Sequence, residues 1–189
     1  MEILAYGIAA CWILFGAVWI LSAPFTKATR TRMRNPKEFA LRVGILLFTF
    51  LFLTHRLPSG SLRFVLFPET MLNWSVALAL TATGVGFAIW ARYTLGRNWS
   101  GIPKLLQDHK LITNGPYAWA QHPIYTGILL GFAGTAIFIG KISGMLLLAM
   151  MLLLFLVKIQ SEEKILMANF PGEYPEYRKR VKRLIPWVW

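Results

Sequence analysis

The sequence predicts an all-α integral membrane bundle of five transmembrane helices, the last two forming a helical hairpin. Three observations carry that expectation. Of the 189 residues 56% are hydrophobic and the mean hydropathy is +0.52, too apolar for an ordinary soluble domain. The apolar residues gather into long runs, Ile3–Ala23, Phe39–Leu57, Leu72–Ala91 and Tyr125–Val157. No ten-residue alternation of a membrane barrel is visible, so helices, which satisfy their own backbone in lipid, are the remaining solution.

The first run, Ile3–Ala23, reads as an uncleaved span. A signal peptide is the alternative, but Glu2 is acidic and the basic residues follow the run instead of preceding it. Phe39–Leu57 and Leu72–Ala91 each have the length of one crossing. Tyr125–Val157 is about twice the roughly 20 residues a crossing needs, and "GKISG", Gly140 to Gly144, divides it by a turn. Two slightly short arms result. Gly127, Gly131 and Thr135 recur every four residues and predict close packing of the fourth span on the fifth. Gly84 and Gly86 form a G-x-G, but inside an apolar run with no strand before it, which argues against a soluble dinucleotide fold. Cys11 is the only cysteine and lies within the first run, so a disulfide within the chain and a cysteine-based metal site are both excluded; no metal is expected.

The net charge is +12, and nearly all of it lies on one side of this topology. Lys27, Arg30, Arg32, Arg34 and Lys37 follow the first span. Arg92, Arg97, Lys104 and Lys110 follow the third, and seven Lys or Arg from Lys158 to Arg183 follow the fifth. Only Arg56, Arg63 and Lys141 fall opposite. The bias puts the N-terminus outside and the C-terminus in the cytoplasm. No nucleic-acid-binding motif accompanies the charge, whereas anionic headgroups and the topology rule account for it. The expected organisation is a single membrane domain over 1–189, with three spans in 1–91 and a functional region in 92–189.

Three clusters on the cytoplasmic side carry chemistry. In "GPYAWAQHPIYTG", Gly115 to Gly127, Pro123 lacks an N–H and disfavours a helical His122, so the fourth helix starts at Pro123 with His122 at its cap and Tyr125 in the first turn. A helix start offers free N–H groups to an anion; an interfacial aromatic belt is the alternative reading. In "QDHKLITNGPY", Gln107 to Tyr117, the "NGP" turn follows Leu111 and Ile112, which can line a pocket for a flat ring. Past the fifth span stand Glu162 and Glu163. Paired carboxylates at the hydrocarbon boundary are costly unless compensated; the alternative is a solvated helix end with Lys158 and Glu162 as an i,i+4 pair.

In this order and spacing, residues 107–186 resemble the isoprenylcysteine carboxyl methyltransferase family. The matching positions are His109 to Ile112, Gly115 to Tyr117, His122 to Tyr125, Glu162 with Glu163, and Gly172, Tyr174, Tyr177 and Arg178. Two positions depart from the family pattern: Gln121 stands where an arginine usually precedes the His-Pro pair, and Lys158 stands where an arginine is frequent one turn before the glutamates. The resemblance implies methyl transfer from S-adenosylmethionine, leaving S-adenosylhomocysteine, to the C-terminal carboxylate of a prenylated cysteine entering from the bilayer. It places His109, Lys110, Leu111, Ile112, Tyr117, His122, Pro123, Ile124, Tyr125 and Glu163 around the cofactor. Glu162, Glu163 and Tyr125 become the catalytic candidates, and Lys158 and Arg178 the substrate contacts. The C-terminal half also resembles phospholipid N-methyltransferases, the leading alternative. An NADPH-dependent sterol-type reductase and a non-catalytic membrane protein are the others.

Overall fold

The computed structural model describes residues 1–22, 29–32, 64–96, 104–106 and 111–189. Its helices are α1 (Glu2–Ser22), α2 (Met71–Leu95), α3 (Pro123–Ile139), α4 (Ile142–Asn169) and α5 (Glu173–Arg180). α1, α2 and α4 are long and apolar enough to cross a membrane; α3 is apolar but shorter, at 17 residues. These are the expected first, third, fifth and fourth spans. The expected second span, Phe39–Leu57, lies outside the described residues.

The helical expectation holds, with one small addition: β1 (Thr29–Arg32) pairs antiparallel with β2 (Lys104–Leu106) in a two-stranded ribbon. One expectation is corrected: the second hairpin arm is not short. α4 runs 28 residues and carries its helix past the glutamates, so the apolar run marks only the part suited to lipid, not the helix itself.

Each helix ends where local chemistry stops it. The Thr70 hydroxyl accepts the Asn73 N–H at 3.2 Å and caps α2. At the other end of α2 the buried Arg92 donates to Gly96 O at 2.9 Å and to Ser22 O at 3.0 Å, which ties the last turn of α1 to the last turn of α2. α3 begins at Pro123 with His122 as its N-cap, as the proline predicts. It stops at Gly140, whose φ of 68° is a left-handed conformation that glycine adopts without a Cβ penalty. The N-cap of α4 is the next residue, Lys141, so the turn expected within "GKISG" is present. The hairpin turn is itself covered: Leu66 and Phe67 donate their N–H groups to Gly140 O at 2.8 and 3.0 Å.

The small-residue face of α3 does not seat the hairpin partner, contrary to the sequence expectation. It seats α2. A Cβ added at Gly84 would stand 2.5 Å from Gly127 O, and one added at Gly134 would stand 2.5 Å from Ala77 O. Bare backbones therefore meet along α2 and α3, where Ala77, Ala88 and Thr81 complete a flat surface. The reason is periodicity: residues four apart share a face, and on α3 that face points to α2. Thr135 instead bonds outward, accepting Trp12 Nε1 of α1 at 2.9 Å. This α1–α2–α3 core holds the start of α3 in a fixed place.

Candidate active site

At the start of α3 the chain enters through a one-turn 3-10 helix, Gly115–Ala118, in which Pro116 and Tyr117 are buried. Gly115 makes the entry with a φ of 57°. The segment 120–122 is then paired with the tail. Gln121 N donates to Lys182 O at 2.8 Å, His122 N donates to Arg183 O at 3.0 Å, and Thr126 Oγ1 donates to Leu184 O at 2.6 Å. α5 locks the same region from the other side. Tyr177 OH donates to Tyr117 O at 2.6 Å, and Tyr174 OH donates to Gln121 Oε1 at 3.1 Å.

Gln121 thereby acquires a definite role. Its side chain is buried, and its Nε2 donates to Val181 O at 2.5 Å while its Oε1 accepts from Tyr174. An uncharged amide is a donor and an acceptor at once, which this position uses and a guanidinium would not supply. The cation that the sequence comparison finds missing here is present nearby, on Arg183.

Around this frame the polar side chains converge. Tyr125 OH donates to Glu162 Oε1 at 2.5 Å. His122 Nδ1 is 3.5 Å from Glu162 Oε2, and its Nε2 is 3.9 Å from Glu163 Oε1. Arg183 pairs with Glu163, its Nη2 donating to Oε2 at 3.0 Å and its Nε lying 2.8 Å from Oε1. Arg178 Nη2 adds a contact of 3.6 Å to Glu163 Oε2, and Lys158 Nζ lies 4.0 Å from Glu162 Oε1 and 5.2 Å from the Tyr125 ring centre. Phe155 stacks on Tyr125 at 4.5 Å and 15°, and the His122 ring lies near-parallel to Tyr125 at 5.6 Å. Buried Tyr117, Ile124 and Ile159, with Ile112 against them, pack in one apolar cluster with Tyr125 and Phe155.

The electrostatics follow from burial opposed by charge. Burial pushes the His122 imidazole down, but the carboxylates of Glu162 and Glu163 beside it outweigh that and hold its pKa above the ordinary value. Burial raises the phenols of Tyr117, Tyr174 and Tyr177, so all three are neutral donors. An open cavity of about 600 Å³ borders the cluster, lined by Gln160, Glu163, Lys164, Met167, Ala168 and Arg178.

The structure brings together Tyr117, His122, Pro123, Ile124, Tyr125, Lys158, Glu162, Glu163 and Arg178, and Ile112 packs against them. Leu111 is half-buried beside Ile112. His109 and Lys110 lie outside the described residues. Sequence reasoning missed Arg183, which counted only as one of a basic run, and Phe155, which counted only as part of a span. The signal for Arg183 is its spacing: it stands five residues past the Tyr174–Arg178 pattern, on a strand-like segment that returns to His122.

Apolar membrane-length helices with a buried imidazole, phenol and carboxylate cluster at the start of a hairpin define an integral membrane protein with an internal polar centre. A family model described as phospholipid methyltransferase matches residues 72–173, more than half of the chain, and the chain belongs to that family. Among curated relatives it is 31% identical over 132 residues to the protein-S-isoprenylcysteine O-methyltransferase of Schizosaccharomyces pombe, covering 65% of this chain and 56% of that one. It is 28% identical over 189 residues to a probable protein-S-isoprenylcysteine O-methyltransferase of Oryza sativa subsp. indica, covering 95% and 94%. To the Homo sapiens protein-S-isoprenylcysteine O-methyltransferase it is 27% identical over 172 residues, covering 84% and 59%. The chain thus spans little more than half the length of the yeast and human proteins and nearly all of the rice one. A solved structure of isoprenylcysteine carboxyl methyltransferase, a eukaryotic intramembrane Ras methyltransferase, superposes with a TM-score of 0.57 at 24% identity over 82% of this chain and 54% of that one. That likeness shows the fold. The resemblance read from the sequence motifs is matched by the curated relatives.

Proposed function

We propose that this protein transfers a methyl group from S-adenosylmethionine to the C-terminal carboxylate of a prenylated cysteine. One observation carries the choice of acceptor: the cations at the cluster outnumber the carboxylates. Lys158, Arg178 and Arg183 face Glu162 and Glu163, and His122 is held toward its charged form. A site with surplus positive charge favours an anionic acceptor over an ammonium. Both glutamates are also engaged, Glu162 by Tyr125 and Glu163 by Arg183, so neither is poised to take a proton from an amine. A carboxylate needs no such base, being already ionised. Phospholipid N-methylation is disfavoured by the same geometry.

The residues fit the cofactor's chemistry. The buried His122 Nε2 has no hydrogen-bond partner among the described residues, and the aromatic faces of Tyr117, His122 and Tyr125 with the two glutamates suit a cationic sulfur and amino group. When bound, S-adenosylmethionine supplies an electrophilic methyl carbon. Glu163 and the rings would hold its positive groups, and Leu111 and Ile112 its flat base; the N–H groups of His122, Tyr125 and Thr126 at the start of α3 are already taken by Arg183 O and His122 O, so Pro123 and Ile124 would contribute by packing. His109 and Lys110 complete that set by sequence position. Tyr125 and Glu162 fix each other, so that ring is preoriented. Arg178 and Lys158 would orient the acceptor carboxylate, and the apolar residues around the cluster would exclude water. The wider organisation belongs to the same reading: a single membrane domain of five spans, its N-terminus outside and its site on the cytoplasmic face, the prenyl chain reaching it through lipid.

Titration of the detergent-purified protein with S-adenosylhomocysteine comes first, with binding expected. Tight NADPH binding without it would replace this reading with a reductase. A labelled-methyl assay offering a farnesylcysteine analogue beside phosphatidylethanolamine then separates the acceptors. Label in the phospholipid alone would overturn the carboxylate assignment.

A further inference from the structure

We propose that residues 184–189, "LIPWVW", form a closed apolar knob that inserts into the interfacial zone of an anionic bilayer leaflet, on the side where α3 begins. The chain leading to it is anchored at that level. Leu184 is buried and its carbonyl accepts from Thr126 in the first turn of α3, while Arg183 O accepts from the His122 N-cap. Beyond this anchor the chain folds onto itself. Trp189 O accepts the N–H groups of Leu184 and Ile185 at 2.9 and 2.7 Å, and Ile185 O accepts those of Val188 and Trp189 at 3.1 and 3.0 Å. Pro186 has no N–H to satisfy. The turn is closed with Trp187 at a φ of 62°, a left-handed conformation uncommon for a large side chain.

What this turn presents is mainly large apolar side chains, with the indole N–H groups of its tryptophans as polar edges. Trp187 is 82% exposed and Val188 72%, with Ile185 and Trp189 beside them. Water rewards neither feature. With the N–H groups of Leu184, Ile185, Val188 and Trp189 satisfied internally, the turn brings few open donors into the interfacial zone, and its large apolar side chains gain by entering it. The exposed Lys179, Arg180 and Lys182 flank the knob on the preceding segment, which matches acidic headgroups surrounding an inserted apolar tip. Exposed aromatics mark the same level on neighbouring elements. Ala120 pairs with Lys182, and next to it Trp119 stands edge-on to Trp90 near the end of α2, an arrangement typical of the belt at a membrane boundary. The occupant is therefore the bilayer interface itself, held by apolar contact and headgroup charge together.

Spin labelling of the full chain tests this. In a Cys11→Ser background, a nitroxide is placed at Val188→Cys, at Ile185→Cys, and at Lys179→Cys as a reference, and the protein is put into nanodiscs of phosphatidylcholine with or without phosphatidylserine. At 188 and 185, collision with oxygen is expected to exceed collision with a water-soluble nickel chelate severalfold. The reverse is expected at 179, and phosphatidylserine should widen the contrast. Nickel accessibility at 188 and 185 equal to that at 179 would overturn the proposal, as would shielding from both reagents, which would mean that protein covers the knob. Apolar labels insensitive to phosphatidylserine would overturn the role of the basic flank. Because 185 and 188 are both exposed, misfolding of one variant leaves the other to decide.

Discussion

Tyr125→Phe removes one oxygen and nothing else, so its effect isolates the phenol–carboxylate bond. The ring remains, and with it the stack on Phe155 at 4.5 Å and the parallel His122 ring. What is lost is a 2.5 Å donation to Glu162 Oε1. Bonds to charged groups contribute about 1.5–3 kcal/mol when buried. Glu162 is only half-buried and retains His122 at 3.5 Å and Lys158 at 4.0 Å, so the lower end applies, about 1.5 kcal/mol. For a chain of this size each kcal/mol shifts the melting temperature by roughly 2–4 °C, giving about 3–6 °C. Thermal unfolding in detergent measures it. S-adenosylhomocysteine titration reads the second consequence: affinity should fall less in Tyr125→Phe than in Tyr125→Leu, which removes the ring as well. Equal melting temperatures for wild type and Tyr125→Phe would refute the bond's structural role. Equal affinities for the Phe and Leu variants would refute the role of the aromatic face.

Gly84→Ala should destabilise by about 1–3 kcal/mol, because its Cβ would collide with the backbone of α3, whereas Gly86→Ala, with open space at its Cβ, should be neutral or stabilising. Thermal unfolding of the two variants side by side checks this. His122 has a pKa raised by folding, so its charged form contributes stability fully below its ordinary value of 6.5 and loses it as pH rises through the folded value. The melting-temperature gap between wild type and His122→Gln is thus expected to be widest at acid pH and to narrow at alkaline pH, read in a buffer series. Arg183→Gln leaves buried Glu163 with Arg178 at 3.6 Å and His122. Because Arg183 is itself more than a third exposed, the stability loss should be small, about 1 kcal/mol or less, while methyl transfer to a carboxylate acceptor should fall by roughly tenfold, about 1.4 kcal/mol, in a labelled-methyl assay.

Much of this architecture is legible in the sequence because its cues are local. Pro123 dictates where α3 starts, Gly140 where it ends, and the spacing of Lys158 and Glu162 places them on one helix face. The same locality explains the errors. Gly127 and Gly131 declare that something packs closely on α3, but a four-residue period names no partner, and the partner is Gly84 on α2, forty-three residues upstream of Gly127. Likewise Gln121 differs from the family pattern by one charge, and from sequence alone that charge is simply absent. The arginine that does stand near it, Arg183, arrives by a tail pairing that no helical period encodes. The expected second span, like His109 and Lys110, lies outside the described residues and enters only by sequence.

The tail pairing also explains why a buried amide and a distant arginine belong together. Gln121 holds Val181 and Tyr174, which fixes the strand-like segment 181–184 beside the start of α3. The same segment receives the N–H of His122 on Arg183 O. Arg183 is therefore positioned by its backbone relative to the imidazole, and its guanidinium reaches the same Glu163 carboxylate that His122 faces. An arginine at position 121 would place a charge on the α3 side but give up the acceptor that holds Tyr174. Moving the cation to the tail leaves position 121 free to fasten the tail, and makes the charge of the site depend on the tail being docked. Loosening Gln121 should then weaken binding at Glu163 even though the two side chains never touch.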